Sequence, residues 1–135
     1  MSELTAAVLS GDRERVLRTG FEFVVSRAYA GSAVNYSAFA AAAAEYPATV
    51  PVLMSQQKAV VEHDTYGRLR GLSVPTLVIH GSRDQMLAAV NADLIASLVP
   101  GARLELLEGV GHLFFWEQPE RSAQLIREHA AAHQS

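Results

Sequence analysis

The chain has 135 residues, half of them hydrophobic and 19% charged, with a net charge of −3. This is an ordinary globular composition at the length of one domain, too apolar for disorder and long enough to bury a core. The acidic balance argues against nucleic acid as a partner, and the absence of cysteine excludes disulfides, thiolate catalysis and cysteine-based zinc sites. The longest clean apolar run, Ala38–Ala44, is short and made mostly of alanine, so no membrane span is expected. The opening Met-Ser-Glu-Leu-Thr lacks the basic start and apolar stretch of a signal peptide, and a cytoplasmic location is the expectation.

Texture changes near Gly71. Before it the pattern is helical. Asp12 suits a helix N-cap, and Leu17, Phe21, Val24, Val25 and Ala28 recur at three- and four-residue spacing, predicting one helix that ends at Gly31-Ser32. A short second helix is expected over Ala38–Glu45, closed by Pro47. Pro51 suits the first turn of a third, presenting Leu53, Gln57, Val60 and Val61. After Pro75, Thr76–His80 is a continuous β-prone run of the kind found in strands covered on both faces. Gly81–Asp84 reads as a loop, and Asn91–Leu98 as a helix with apolar Leu94, Ile95 and Leu98, stopped at Pro100-Gly101. Arg103–Leu107 is a second strand, and Glu108–Trp116 a loop holding Gly109 and Gly111. Pro119 opens a last helix with Ala123, Ile126 and Ala130 on its face. Two strands joined through a helix predict a parallel βαβ unit with a right-handed crossover.

Sites in open parallel sheets lie at the carboxyl ends of the strands. Asp84 follows the first strand and His112 the second. A carboxylate and an imidazole at adjacent strand ends can hydrogen-bond, fixing the imidazole tautomer and leaving the other ring nitrogen as a general base. Alone, such an Asp ordinarily caps a turn and such a His is ordinarily structural; the pair at successive strand ends is the stronger signal.

The stretch Val74–Asp84 resembles the strand and acid loop of the α/β-hydrolase family. Pro100–Arg103 followed by Glu108–His112 is similar to its last strand and histidine loop, and Glu117–Glu120 to the start of its C-terminal helix. Gln57, Ala59, His63–Thr65 and Leu69 resemble the approach to the acid strand in lactonase- and esterase-like members. The resemblance covers Gln57–Ala130. It implies an α/β fold: the C-terminal part of the hydrolase core over 71–135, with two parallel strands plus helices, preceded by helical cap segments over 1–70. The implied roles are triad acid for Asp84 and triad histidine for His112, with Met86 and Leu113 as candidate pocket-lining neighbours. The implied substrate is a small molecule with an ester, lactone or similar bond, and no cofactor or metal is implied.

The nucleophile elbow G-x-S-x-G occurs nowhere in these 135 residues. Ser32, Ser37 and Ser82 stand in other contexts, and no segment matches the family's oxyanion-hole region. The expectation is therefore a truncated gene product, half of a split protein or a remnant, inactive by itself, in which an upstream segment supplies a serine or aspartate nucleophile. The alternative is a non-catalytic or degenerate hydrolase-like chain. Either way, the unpaired edge of the first strand favours self-association or a partner chain.

Other candidates have plainer readings. His129 and His133, four apart, have no evident third metal ligand. His80 is expected to pack or bond locally, Arg13, Arg15 and Arg18 to form a solvated face, and Phe114–Trp116 to form core beneath the site. No glycine-rich phosphate loop is present.

Overall fold

The computed structural model describes residues 3–45, 47 and 49–133. In chain order its elements are α1 (Glu3–Ser10), α2 (Arg13–Val24), α3 (Arg27–Ala30), α4 (Ala33–Glu45), α5 (Val50–Glu62), α6 (Tyr66–Leu69), β1 (Leu77–Gly81), α7 (Val90–Leu98), β2 (Arg103–Leu107), α8 (Phe114–Glu117) and α9 (Pro119–Ala132).

The N-terminal helices begin as their caps dictate. Asp12 accepts from the N–H of Arg15 at the start of α2. The helix does not run on to Gly31, as the periodicity predicts. It closes at Val25, whose N–H reaches the Phe21 carbonyl and whose backbone is extended, and Ser26 then caps α3 by accepting from the Tyr29 N–H. A serine that offers an alternative partner to the backbone turns the chain here without glycine or proline. Helix α4 starts five residues before the expected Ala38, and α1, α6 and α8 form where the sequence pattern predicts no helix. Along α5, Val60 and Val61 stand exposed, while the side chains of Leu53 and Gln57 lie outside the described residues.

Phe21, Val25 and Tyr36 form one buried cluster, with Leu17, Phe39 and Leu113 packed around it. Arg18 stacks its guanidinium 3.8 Å from the centre of the Tyr36 ring, so it is more than part of a solvated face.

The two strands pair in parallel, Leu77 opposite Arg103 through Gly81 opposite Leu107, with α7 in the crossover. β1 is a short, mostly apolar run, whereas β2 alternates Arg103 and Glu105 with leucines, and Gly101 (φ +72°) lets the chain turn sharply from α7 into β2. Beneath them Leu107, Val110 and Leu125 form the second cluster, joined by Leu77, Ile79 and Phe114. The inward face of α9 is Ser122 and Leu125, not the expected Ala123, Ile126 and Ala130; Ile126 is 56% exposed. Likewise α7 buries Ala92 and Leu98 while Leu94 and Ile95 face outward. Ile126 and Ala130 instead line a groove of about 460 Å³ with Leu77, Ile79, Phe114 and His129. Among the described residues β1 has β2 as its sole strand partner.

Candidate active site

Two loops leave the carboxyl ends of the strands and are sewn together by main-chain bonds. The Ser82 N–H donates to Leu107 O and the Arg83 N–H to Val110 O, both at 2.9 Å. The Gly109 N–H donates to Ser82 Oγ at 2.9 Å. This close approach requires glycine. A Cβ on Gly81 would lie 2.5 Å from Val110 O and closer still to Gly111 O, and one on Gly111 would lie 2.6 Å from the Val25 carbonyl carbon. Gly109 takes φ +81° to start the second loop.

The loops bring Asp84 and His112 together. His112 Nδ1 lies 2.8 Å from Asp84 Oδ2, and its Nε2 has no hydrogen-bond partner among the described residues. The Asp84 side chain is 2% exposed and that of His112 32%. The other carboxylate oxygen, Oδ1, accepts from the N–H groups of Met86 (2.8 Å) and Leu87 (2.9 Å). Burial works to raise the Asp84 pKa. The Leu87 N–H, the His112 imidazole and the Met86 N–H outweigh it and hold the carboxyl below its ordinary 3.8. Asp84 is thus an anion aimed at Nδ1, an arrangement that fixes the Nε2-basic tautomer and stabilises the imidazolium.

His80, expected to pack or bond locally, reaches into the acid loop. Its Nε2 donates to Leu87 O at 3.1 Å, tying the end of β1 to the acid loop, and lies 3.3 Å from Asp84 Oδ2. Its signal in the sequence is its place four residues before Asp84, at the end of a strand. Gln85 ties the acid loop to the end of α2, its amide donating to Glu22 O (3.2 Å) and Val25 O (3.4 Å). Glu117, read from sequence as part of a helix start, lies under the histidine loop and accepts from the Gly111 N–H at 2.7 Å.

Met86 is 52% exposed beside Asp84, whereas Leu113 packs against the Phe21 cluster. Phe115 is 52% exposed, so the aromatic run is only partly core; Trp116 meets Phe39 with ring centroids 5.8 Å apart. His129 and His133 lie against each other with tilted rings, centroids 4.6 Å apart. Among the described residues no group of three or more His, Asp or Glu is placed to hold a metal, and no helix is long and apolar enough to cross a membrane.

This chain belongs to the alpha/beta hydrolase family, whose sequence profile matches residues 3–125. It is 32% identical over 73 residues to the monoacylglycerol lipase abhd6-B of Xenopus laevis, a match covering 54% of this chain and 22% of the lipase. BpoC of Mycobacterium tuberculosis H37Rv, assigned as a non-heme bromoperoxidase, superposes with a TM-score of 0.81 at 21% identity over 96% of this chain and 50% of BpoC. The esterase EaEST of Exiguobacterium antarcticum superposes at 0.77 and 22% identity, over 94% of this chain and 47% of the esterase. The chain therefore spans about half the length of these solved structures and a fifth of the lipase. At these identities the structural likeness establishes the fold.

Proposed function

We propose that this chain supplies the acid and the general base of a hydrolase acting on an ester, lactone or similar bond of a small molecule. The observation that carries the reading is the 2.8 Å contact between Asp84 Oδ2 and His112 Nδ1, with Nε2 left without a partner among the described residues. In this reading Nε2 takes the proton from a nucleophile outside these residues, or from water if that nucleophile is an aspartate. Asp84 stabilises the imidazolium, which with a serine nucleophile then protonates the leaving group, and with an aspartate nucleophile gives its proton back as water cleaves the enzyme ester left by the earlier displacement. Met86 offers apolar surface beside the acid, and Leu113 supports the histidine from below. Residues 1–70 act as a helical cap and 71–135 as part of the core. The sequence similarity to a lipase over 73 residues supports this substrate class.

The test joins this chain to a segment carrying a strand and nucleophile elbow, such as the first half of EaEST, and measures turnover of short-chain p-nitrophenyl esters. The isolated chain should show no turnover above buffer. The joined protein should, and His112→Ala should remove up to about six powers of ten of it. Equal turnover with and without His112 would rule the assignment out.

One observation favours a second reading, a non-catalytic interaction chain. The edge of β1 away from β2 runs beside the apolar groove lined by Leu77, Ile79 and Ile126. Such an edge is a template for another strand. A stable, monodisperse oligomer that stays inactive after joining would support this reading; a monomer in solution would oppose it.

A further inference from the structure

The break between α2 and α3 lies directly against the histidine loop. On the far side of His112, the Leu113 N–H donates to Val24 O at 2.8 Å. On the near side, Glu117 Oε1 accepts from the Gly111 N–H (2.7 Å) and from the Ser26 N–H (2.9 Å), while Oε2 accepts from Ser26 Oγ. Ser26 is 5% exposed. Gly111 lies so close to Val25 and Ser26 that a side chain there would strike their main chain.

A carboxylate suits this place because three donors converge on it and none of them asks it to donate. Two are main-chain N–H groups held away from water, which are costly to leave unpaired. Within a single helix a capping-box glutamate bonds the N–H of its own N-cap residue; here the N–H of Ser26, the N-cap of α3, is served by a glutamate 91 residues later.

We infer that Glu117 is a positioning residue for His112: by holding Gly111 to Ser26 while Leu113 is held to Val24, it fixes the main chain on both sides of the histidine and so aims Nδ1 at Asp84. The purpose of that aim rests on the catalytic reading above, whereas the bonds themselves can be tested in the chain as it stands. Glu117 touches no reacting atom. Its sequence signal, a Glu five residues after a loop histidine and two before a proline, reads equally well as a helix start.

The experiment is NMR of the chain labelled at histidine. The readout is the His112 Nδ1–H proton, identified as the downfield resonance lost in Asp84→Asn. In Glu117→Ala this proton should exchange with water about tenfold faster or broaden away, as expected for loss of a hydrogen bond to a charged group, while the amide shifts of β1 and β2 stay in place. Glu117→Gln should restore it, because the side-chain carbonyl still accepts from both N–H groups and the amide can donate to Ser26 Oγ. If Glu117→Ala does not fold, Ser26→Ala, which removes one of the three bonds to Glu117 together with the cap bond from the Tyr29 N–H, should still speed the exchange severalfold, and Ser26→Asp, which can accept from Tyr29 but cannot donate to Glu117, should do the same. An unchanged Nδ1–H proton in a folded Glu117→Ala or in Ser26→Ala overturns the inference and leaves the catalytic pairing standing; loss of the proton in Glu117→Gln equal to that in Glu117→Ala also overturns it. A wild-type chain with no Asp84-dependent resonance overturns both.

Discussion

Gly81→Ala should be among the most damaging single-methyl changes in this protein. The added Cβ would sit 2.5 Å from Val110 O and nearer to Gly111 O. Both obstacles are main chain, so no side chain can swing aside. Relief requires the ends of the two loops to part by roughly an ångström, judged against ordinary packing contacts of about 3.5 Å. That movement acts directly on Ser82 N–H to Leu107 O and Arg83 N–H to Val110 O, the bonds that join the loops. Overpacking costs about 1–3 kcal/mol and each weakened hydrogen bond about 1 kcal/mol. A loss of about 3–5 kcal/mol follows, against a total of about 5–15 kcal/mol for a domain. Urea unfolding followed by the fluorescence of Trp116, the single tryptophan, would read this as a midpoint lower by about 2 M. Gly20→Ala is the control. Gly20 lies within α2 with nothing near its Cβ position, and the change should stabilise by about 0.5–1 kcal/mol. An unchanged midpoint for Gly81→Ala would mean that the loops are not held at this distance.

Asp84 should leave a mark on the acid limb of stability. Its folded pKa lies below the ordinary 3.8, so its contribution is fully present above the unfolded value and is lost as pH falls through the folded one. Urea midpoints of the wild type and Asp84→Asn should therefore differ most at neutral pH and converge below about pH 4; a constant gap down to pH 2 would contradict this. Leu125→Ala, at a side chain with 0% exposure between α9 and the sheet, should cost about 2–5 kcal/mol. Ile126→Ala one residue on, at an exposed site, should change the thermal midpoint far less in a monomer. Equal losses would place the wrong face of α9 inward.

The parts of the fold legible in the sequence are those whose cause is local. The strand Thr76–His80 is continuous and β-prone between a proline and a glycine, and the observed β1 differs from it by one residue at each end. Arg103–Leu107 matches β2. The misreadings have a common origin. Leu17, Phe21, Val24, Val25 and Ala28 keep helical spacing across a break made by a single serine, because Val25 is buried by packing on Phe21 rather than by helix geometry. In α9, Leu125 and Ile126 are equally apolar, and only the position of the sheet determines which is buried.

The candidate site divides in the same way. That Asp84 and His112 follow successive strands is a matter of chain order, and the sequence alone carries it. The glycines at 81 and 111 are also legible, although not the reason for them. Tertiary structure alone brings Glu117 to Ser26 and places His80 on the oxygen that His112 uses. It also determines that Leu113 faces the core while Met86 faces out. The physical reason is range. Strand propensity, caps and turns act over a few residues and are written in order along the chain. The bonds that hold the histidine loop join groups up to 91 residues apart, and those groups meet only where the helices pack against the sheet.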